Sequence, residues 1–505
     1  MRPKTELLAR TRASRLLSGL ALLVAVASAL TLACSDTTRD APLAKPEDSA
    51  EHAGSARPRA IVLFVIDTLR ADQLGSYGGP AGLTPHLDAL AARGIVFERA
   101  HAAAPWTLPS VASLLTSSFP CEHAVVSDGD RIPAASTTLA ELLGDAGYRT
   151  ASVFENPYAG PLSGLDRGFE SADQAFDTGL GTGARIDALQ PEPLFLYIHI
   201  TNPHDPYQET QLGPDTGDAL GPDERKAINR KLQRFRKLTR ADWADKRSVG
   251  STDNSEQQEA AMQKLRDARE EILLLYAKDV ARADARLGSV VAAFEQRGLM
   301  QDTLFVVVSD HGEEFDDHGS WQHDQSVYEE LLRVPLIVHL PRGRAAGTRV
   351  ATPVSLVDVV PTILDAADLE SPASLRGRSL LPLAFADTHD AEPPLRVTGM
   401  RLNRKKFSRS VREARGERNV VARQGPWKSI WNTDRDHTEL YDLENDPSED
   451  HDLAGENPER AAAMQRASAS WLEACRPARE PDGDAELPEL NAQQRERLRA
   501  LGYID

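Results

Sequence analysis

The run Ile61-Val62-Leu63-Phe64-Val65-Ile66 is apolar without a break, is rich in β-branched residues and stops at Asp67. A strand with one wet face alternates polar and apolar residues, so an unbroken run predicts a strand buried on both faces, as in a parallel sheet. Residues 194–200, 304–308 and 335–340 behave alike. Between these runs lie patterns of helical spacing at 84–93, 110–116, 138–147 and 272–297, the third closed by Gly147. Strands alternating with helices predict an α/β fold: a mostly parallel central sheet with helices on both faces. Ligands of such sheets sit at the carboxyl ends of the strands. Three polar clusters fall there: Asp67 after the first run, His204 shortly after the second, and Asp310-His311 one serine after the third.

A chain of 505 residues exceeds one ordinary compact unit, so a large domain with a smaller appendage is expected. The main domain is assigned to 59–395, interrupted by a charged helical insertion at 207–271. The basic run at 230–237 within it reads as a solvated face or a lid rather than a partner site. Residues 396–453 carry short β-like runs and read as a small C-terminal α+β subdomain; 454–505 read as a helical tail. The formal net charge of -18 excludes nonspecific nucleic-acid binding, which selects basic faces.

At the N-terminus, Arg2, Lys4, Arg10, Arg12 and Arg15 precede an apolar stretch at 16–33, which reads as a secretory signal over 1–33. It ends in Leu32-Ala33-Cys34, which resembles a bacterial lipoprotein signal, with Cys34 lipidated and 34–58 serving as a polar tether. This implies an exported protein, periplasmic or at the cell surface of a bacterium, held to the membrane by an N-terminal lipid anchor. The alternatives are a signal cut nearby without lipidation and an uncleaved anchor. The other cysteines, Cys121 and Cys475, are too far apart to form a framework and match no zinc spacing; they read as structural or incidental, although export permits a disulfide.

Three segments carry the chemistry. The first is Asp67-Thr68-Leu69-Arg70-Ala71-Asp72, followed by Thr84-Pro85-His86-Leu87-Asp88. In the second, Trp106-Thr107-Leu108-Pro109-Ser110, Pro109 pre-sets a first helical turn and Thr107 stands just ahead of the helix, where free N–H groups favour an anion. Thr107 also suits the lesser role of a helix cap. The third is Asp310-His311-Gly312-Glu313-Glu314, with His318 and His323 following. His204 lies in Asn202-Pro203-His204-Asp205-Pro206.

In this order, over residues 59–453, these motifs resemble the sulfatase branch of the alkaline phosphatase superfamily. The resemblance implies a divalent metal held by Asp67, Asp310, His311 and the oxygen of Thr107. It makes Thr107 the nucleophile and gives His204 and His323 roles in anion binding and leaving-group protonation, His323 standing where the family has a lysine. A histidine among carboxylates suits Mn or Zn better than Ca or Mg. The departures lie in the site itself. Thr68 replaces a second acidic ligand, Val111 replaces an arginine, His311 stands where sulfatases often have an asparagine and relatives acting on phosphorus have a histidine, and Thr107 replaces the Cys or Ser that becomes formylglycine, so no formylglycine is made there. A formylglycine hydrate expels sulfate by collapsing to the aldehyde; a sulfated threonine must be attacked afresh. The expected activity is therefore a sulfatase-like, metal-dependent hydrolase of sulfuric or phosphorus esters, inclined to phosphorus, on a small or glycan- or lipid-linked anionic substrate. The alternatives are a phosphotransferase and a non-catalytic metal- and anion-binding lipoprotein of the same fold.

Overall fold

The computed structural model describes residues 57–127, 129–174, 181–190, 193–207, 227, 230–231, 255–385, 395–402, 418–475 and 492–501. The signal segment, Cys34, the tether up to residue 56 and most of the basic run at 230–237 lie outside the described residues. No helix among the described residues is long and apolar enough to cross a membrane.

The first apolar run forms strand β1 (Ala60–Ile66), with every residue buried. The central sheet continues with β2 (Ile95–Phe97), β3 (Arg149–Phe154), β4 (Ser171–Gln174), β5 (Leu194–Ile200), β6 (Thr303–Ser309), β7 (Leu336–His339) and β8 (Thr348–Val350). The spatial order is β8-β2-β7-β6-β1-β5-β3-β4. β1 sits in the middle, pairing in parallel with β5 and β6, Ile66 opposite Ile200 and Ser309. The expectation of a mostly parallel sheet holds with one exception. β7 runs antiparallel to both β6 and β2.

Alternate residues of β1 serve two cores. Ile61, Leu63 and Val65 pack with helices α2 (Thr107–Thr116), α3 (Leu139–Asp145) and α5 (Val359–Ala366). Val62, Phe64 and Ile66 pack with α1 (Pro85–Ala92) and the long α4 (Arg269–Gln296). This explains the unbroken apolar run: each residue meets a helix layer, and each large side chain contributes roughly 1.5–3 kcal/mol through burial.

A second, antiparallel sheet follows, in the order β9 (Arg396–Leu402), β10 (Arg418–Gln424), β11 (Trp427–Asn432), β12 (His437–Asp442), with α6 (Pro458–Ala474) packed on it. The terminal helix α7 (Ala492–Ala500) returns to the main domain, where Arg497 donates to Thr201 Oγ1 at 2.6 Å. Cys121 and Cys475 form a disulfide that joins the main domain to the end of α6.

Candidate active site

The carboxyl ends of β1, β5 and β6 converge. Asp67 leaves β1 with its N–H still bonded to Ile200 O at 3.0 Å. Thr68 then adopts φ 57°, a left-handed conformation that a β-branched residue rarely takes, at a cost on the order of 1–3 kcal/mol. Neighbours hold it there. Tyr276 of α4 donates to Thr68 O at 2.7 Å and accepts from Arg70 N at 2.9 Å, and Leu69 N donates to Ser309 Oγ at 2.9 Å. The strained turn aims Asp67 across the strand end toward Asp310.

Helix α2 places Thr107 opposite. Trp106 is the extended cap and Thr107 the first helical residue, one position further into the helix than the sequence suggests. All ten residues of α2 are buried, and Ser110 Oγ donates to Asp310 O at 2.6 Å, which ties the helix start to the end of β6. Thr107 Oγ1 lies 3.4 Å from Asp67 Oδ1 and 3.2 Å from His311 Nε2.

Asp310 turns one oxygen to backbone donors, accepting at Oδ1 from His311 N at 2.9 Å and Thr68 N at 3.3 Å. Its Oδ2 is buried without a hydrogen-bond partner. His311 Nδ1 donates to Gly312 O at 2.9 Å, which fixes the tautomer and leaves Nε2 as the lone-pair nitrogen. Gly312 is required here, because a Cβ would meet Glu330 O at 1.9 Å. Asp67, Asp310 and His311 are fully buried and each offers a ligand atom within 4.8 Å of the others'. Burial raises the Asp67 pKa, and the charge of Asp310 raises it further. Burial also opposes ionisation of Asp310, but the neighbouring imidazoles of His311 and His199 and the N–H of Thr68 outweigh it and hold that carboxyl below its ordinary value. Two buried carboxylates, one of them with an orphaned oxygen, and an imidazole lone pair fit a divalent cation, which would satisfy all three groups at once.

The expected histidines close one side. His204, 4% exposed, donates from Nδ1 to Asp205 O, and its ring lies 5.0 Å from that of His323. His323 Nδ1 bonds Glu313 Oε1 at 2.9 Å, and its ring lies 4.7 Å from that of His311. Gln322 and Asp324, on either side of His323, both have positive φ, 71° and 81°; Asp324 N donates to Pro105 O at 3.0 Å, fastening this loop to the start of α2. His318 is elsewhere, bonded to Glu330 at 2.7 Å and stacked on Tyr328 at 3.7 Å.

Two residues at the site carried no expectation. Asn156, after β3, donates from Nδ2 to Asp67 Oδ2 at 2.9 Å and to Thr107 Oγ1 at 3.4 Å. His199, inside β5 and fully buried, lies 3.5 Å from Asp310 Oδ2. The strand-end rule that found Asp67 would have found Asn156 had β3 been read as a strand. A histidine inside an apolar strand was the corresponding signal for His199.

A mostly parallel sheet with this donor set at its carboxyl edge, facing a hydroxyl at the start of a buried helix, defines an ester hydrolase fold of the alkaline phosphatase superfamily. The sulfatase family profile matches residues 59–369, and the chain belongs to that family. A second profile, N-sulphoglucosamine sulphohydrolase C-terminal, matches residues 316–473. Arylsulfatase K of Xenopus laevis is 25% identical over 421 residues, covering 76% of each chain. N-acetylglucosamine-6-O-sulfatase of Bacteroides thetaiotaomicron is 23% identical, covering 78% of this chain and 82% of that protein. Other arylsulfatase K relatives align over 31% to 60% of their own length. Among solved structures, the phosphonate monoester hydrolase of Agrobacterium radiobacter superposes with a TM-score of 0.60 at 20% identity, covering 83% of this chain and 96% of that one, a likeness of fold.

Proposed function

We propose that this chain is a metal-dependent hydrolase of anionic esters with Thr107 as nucleophile and a preference for phosphorus esters. The observation that carries this reading is the place of Thr107 Oγ1, 3.2 Å from His311 Nε2 and 3.4 Å from Asp67 Oδ1. Asp67, Asp310, His311 and the Thr107 hydroxyl would hold one divalent metal, Mn or Zn suiting the imidazole better than Ca or Mg. When bound, such a cation lowers the hydroxyl's pKa and offsets the charge of the substrate.

Thr107 Oγ1, its proton passing to solvent, attacks phosphorus in line, a new O–P bond forming as the bond to the leaving oxygen breaks. Asn156 holds the second oxygen of Asp67 and steadies the nucleophile's surroundings. His323, paired with Glu313, and His204 beside it supply the proton to the leaving oxygen and hydrogen bonds to the developing charge. Water then releases the acid from Thr107. That last step disfavours a sulfate ester on threonine, which lacks the collapse route of a formylglycine hydrate. The names of the relatives support an anionic ester on a glycan as substrate class.

The protein is also proposed to act outside the cytoplasmic membrane, anchored through Cys34; the Cys121–Cys475 disulfide supports an oxidising compartment. Labelled fatty acid should enter the wild-type chain in cells and not Cys34→Ser.

The test of function is turnover of the metal-loaded protein on aryl phosphate, aryl phosphonate monoester, phosphodiester and aryl sulfate. Phosphorus-selective turnover supports the reading. Sulfate-selective turnover overturns the preference, and no turnover on any of the four overturns the hydrolase.

A further inference from the structure

A cavity of about 310 Å³ lies between the main domain and the C-terminal sheet, and none of its lining residues belongs to the Thr107 site. Its charged lining is Glu98, Arg99, Glu329, Arg333, Arg349 and Arg423. The two carboxylates are already engaged. Glu98 pairs with Arg349 at 2.7 Å, and Glu329 with Arg423 and with Lys428, the latter at 3.1 Å. Among the described residues, neither Arg99 nor Arg333 has a carboxylate within ion-pair distance; each donates to a backbone oxygen, Gly425 O at 3.4 Å and Glu98 O at 3.3 Å. Arg423 is 2% exposed and its Nη1 has no hydrogen-bond partner. Four guanidinium groups against two carboxylates leave an excess of two positive charges in a chain whose formal charge is -18.

We propose that this cavity is a second binding site for a tetrahedral oxyanion, a sulfate or phosphate group. Guanidinium forks match such oxygens two at a time, and a buried unused donor such as Arg423 Nη1 is costly until an acceptor arrives. The position fits a substrate that carries more than one anionic group. Tyr77, which lines the cavity, donates to Phe97 O at 3.2 Å and Leu336 O at 3.0 Å, where β2 ends and β7 begins. Leu336 pairs with Val308 near the end of β6, so the cavity shares the carboxyl edge of the sheet with Asp310. β2 stands two strands from β6, which sets the lateral offset at roughly 10 Å. The same site accepts a free anion of that chemistry.

Binding of inorganic sulfate and inorganic phosphate to the full chain, followed by calorimetry, tests this independently of any catalytic reading. Arg333→Ala should weaken one class of anion site by at least about tenfold, and Arg333→Lys should recover part of it. Turnover of a small aryl ester should be unchanged in Arg333→Ala, which also reports that the variant is folded. The source of the anion follows from a second comparison, which rests on the hydrolase reading. A KM raised for a multiply charged oligosaccharide ester and unchanged for the aryl ester identifies a second group of the substrate; equal KM values with altered sulfate binding identify a free anion. Superimposable anion isotherms for wild type, Arg333→Ala and Arg99→Ala would overturn the proposal.

Discussion

Thr107 Oγ1 lies 3.2 Å from His311 Nε2, so the first hydroxyl of α2 faces a lone-pair nitrogen whose tautomer is fixed by Gly312 O. Helix capping falls to the preceding residue, Trp106, through its extended backbone. The hydroxyl is thereby turned into the cluster of Asp67, Asp310 and His311.

Asn156 is predicted to tune that cluster without being a ligand. It donates to Asp67 Oδ2 at 2.9 Å, and partners of this kind orient metal-binding carboxylates. Asn156→Ala should weaken metal affinity by about 10- to 100-fold. A competition titration with a chelating dye reads this directly, and an unchanged affinity would remove Asn156 from the account.

Stability should fall as the medium becomes alkaline. For Glu314, burial and then the charge of Glu330 raise the pKa from 4.5 to about 7. For His318, burial opposes protonation, but the hydrogen bond and charge of Glu330 outweigh it and raise the pKa from 6.5 to about 9. Both groups hold their protons more tightly folded than unfolded, so each contribution is present below the unfolded value and is lost as pH rises through the folded one. The unfolding midpoint should therefore decline between pH 4.5 and 9. His318→Gln should flatten the part above 6.5; curves that stay parallel there would exclude the His318 contribution.

The disulfide should be a stability element. It links Cys121 to Cys475 across 354 residues of sequence, beside an edge-to-face contact of Phe119 with Trp471 at 5.0 Å. Cys475→Ser should lower the unfolding free energy by about 2–5 kcal/mol, measured in denaturant under oxidising conditions. Wild-type curves that coincide with and without reductant would contradict this.

The sheet was legible because both of its faces are covered: Ile61 to Ile66 must all be apolar, and such a run has few other uses. Asp67, His204 and Asp310-His311 were legible because a strand end in this fold is where polar residues collect. β3 was not read, since Arg149, Thr150 and Ser152 interrupt its apolar pattern, and Asn156 was lost with it. The antiparallel β7 was also illegible, because a buried run looks the same in either direction. The pairing of Cys121 with Cys475 depends on α6 packing against the short helix at Pro120–His123, a tertiary contact that no local pattern records.

The central claim is that Thr107 is the nucleophile, and the most direct measurement is kcat of metal-loaded Thr107→Ala and Thr107→Ser on the best phosphorus ester, with bound metal quantified in each. The account predicts that Thr107→Ala loses at least about 10³-fold in kcat while Thr107→Ser, which keeps a hydroxyl at the same place, retains most of it. Thr107→Ala turning over near the wild-type rate with its metal in place would contradict the claim.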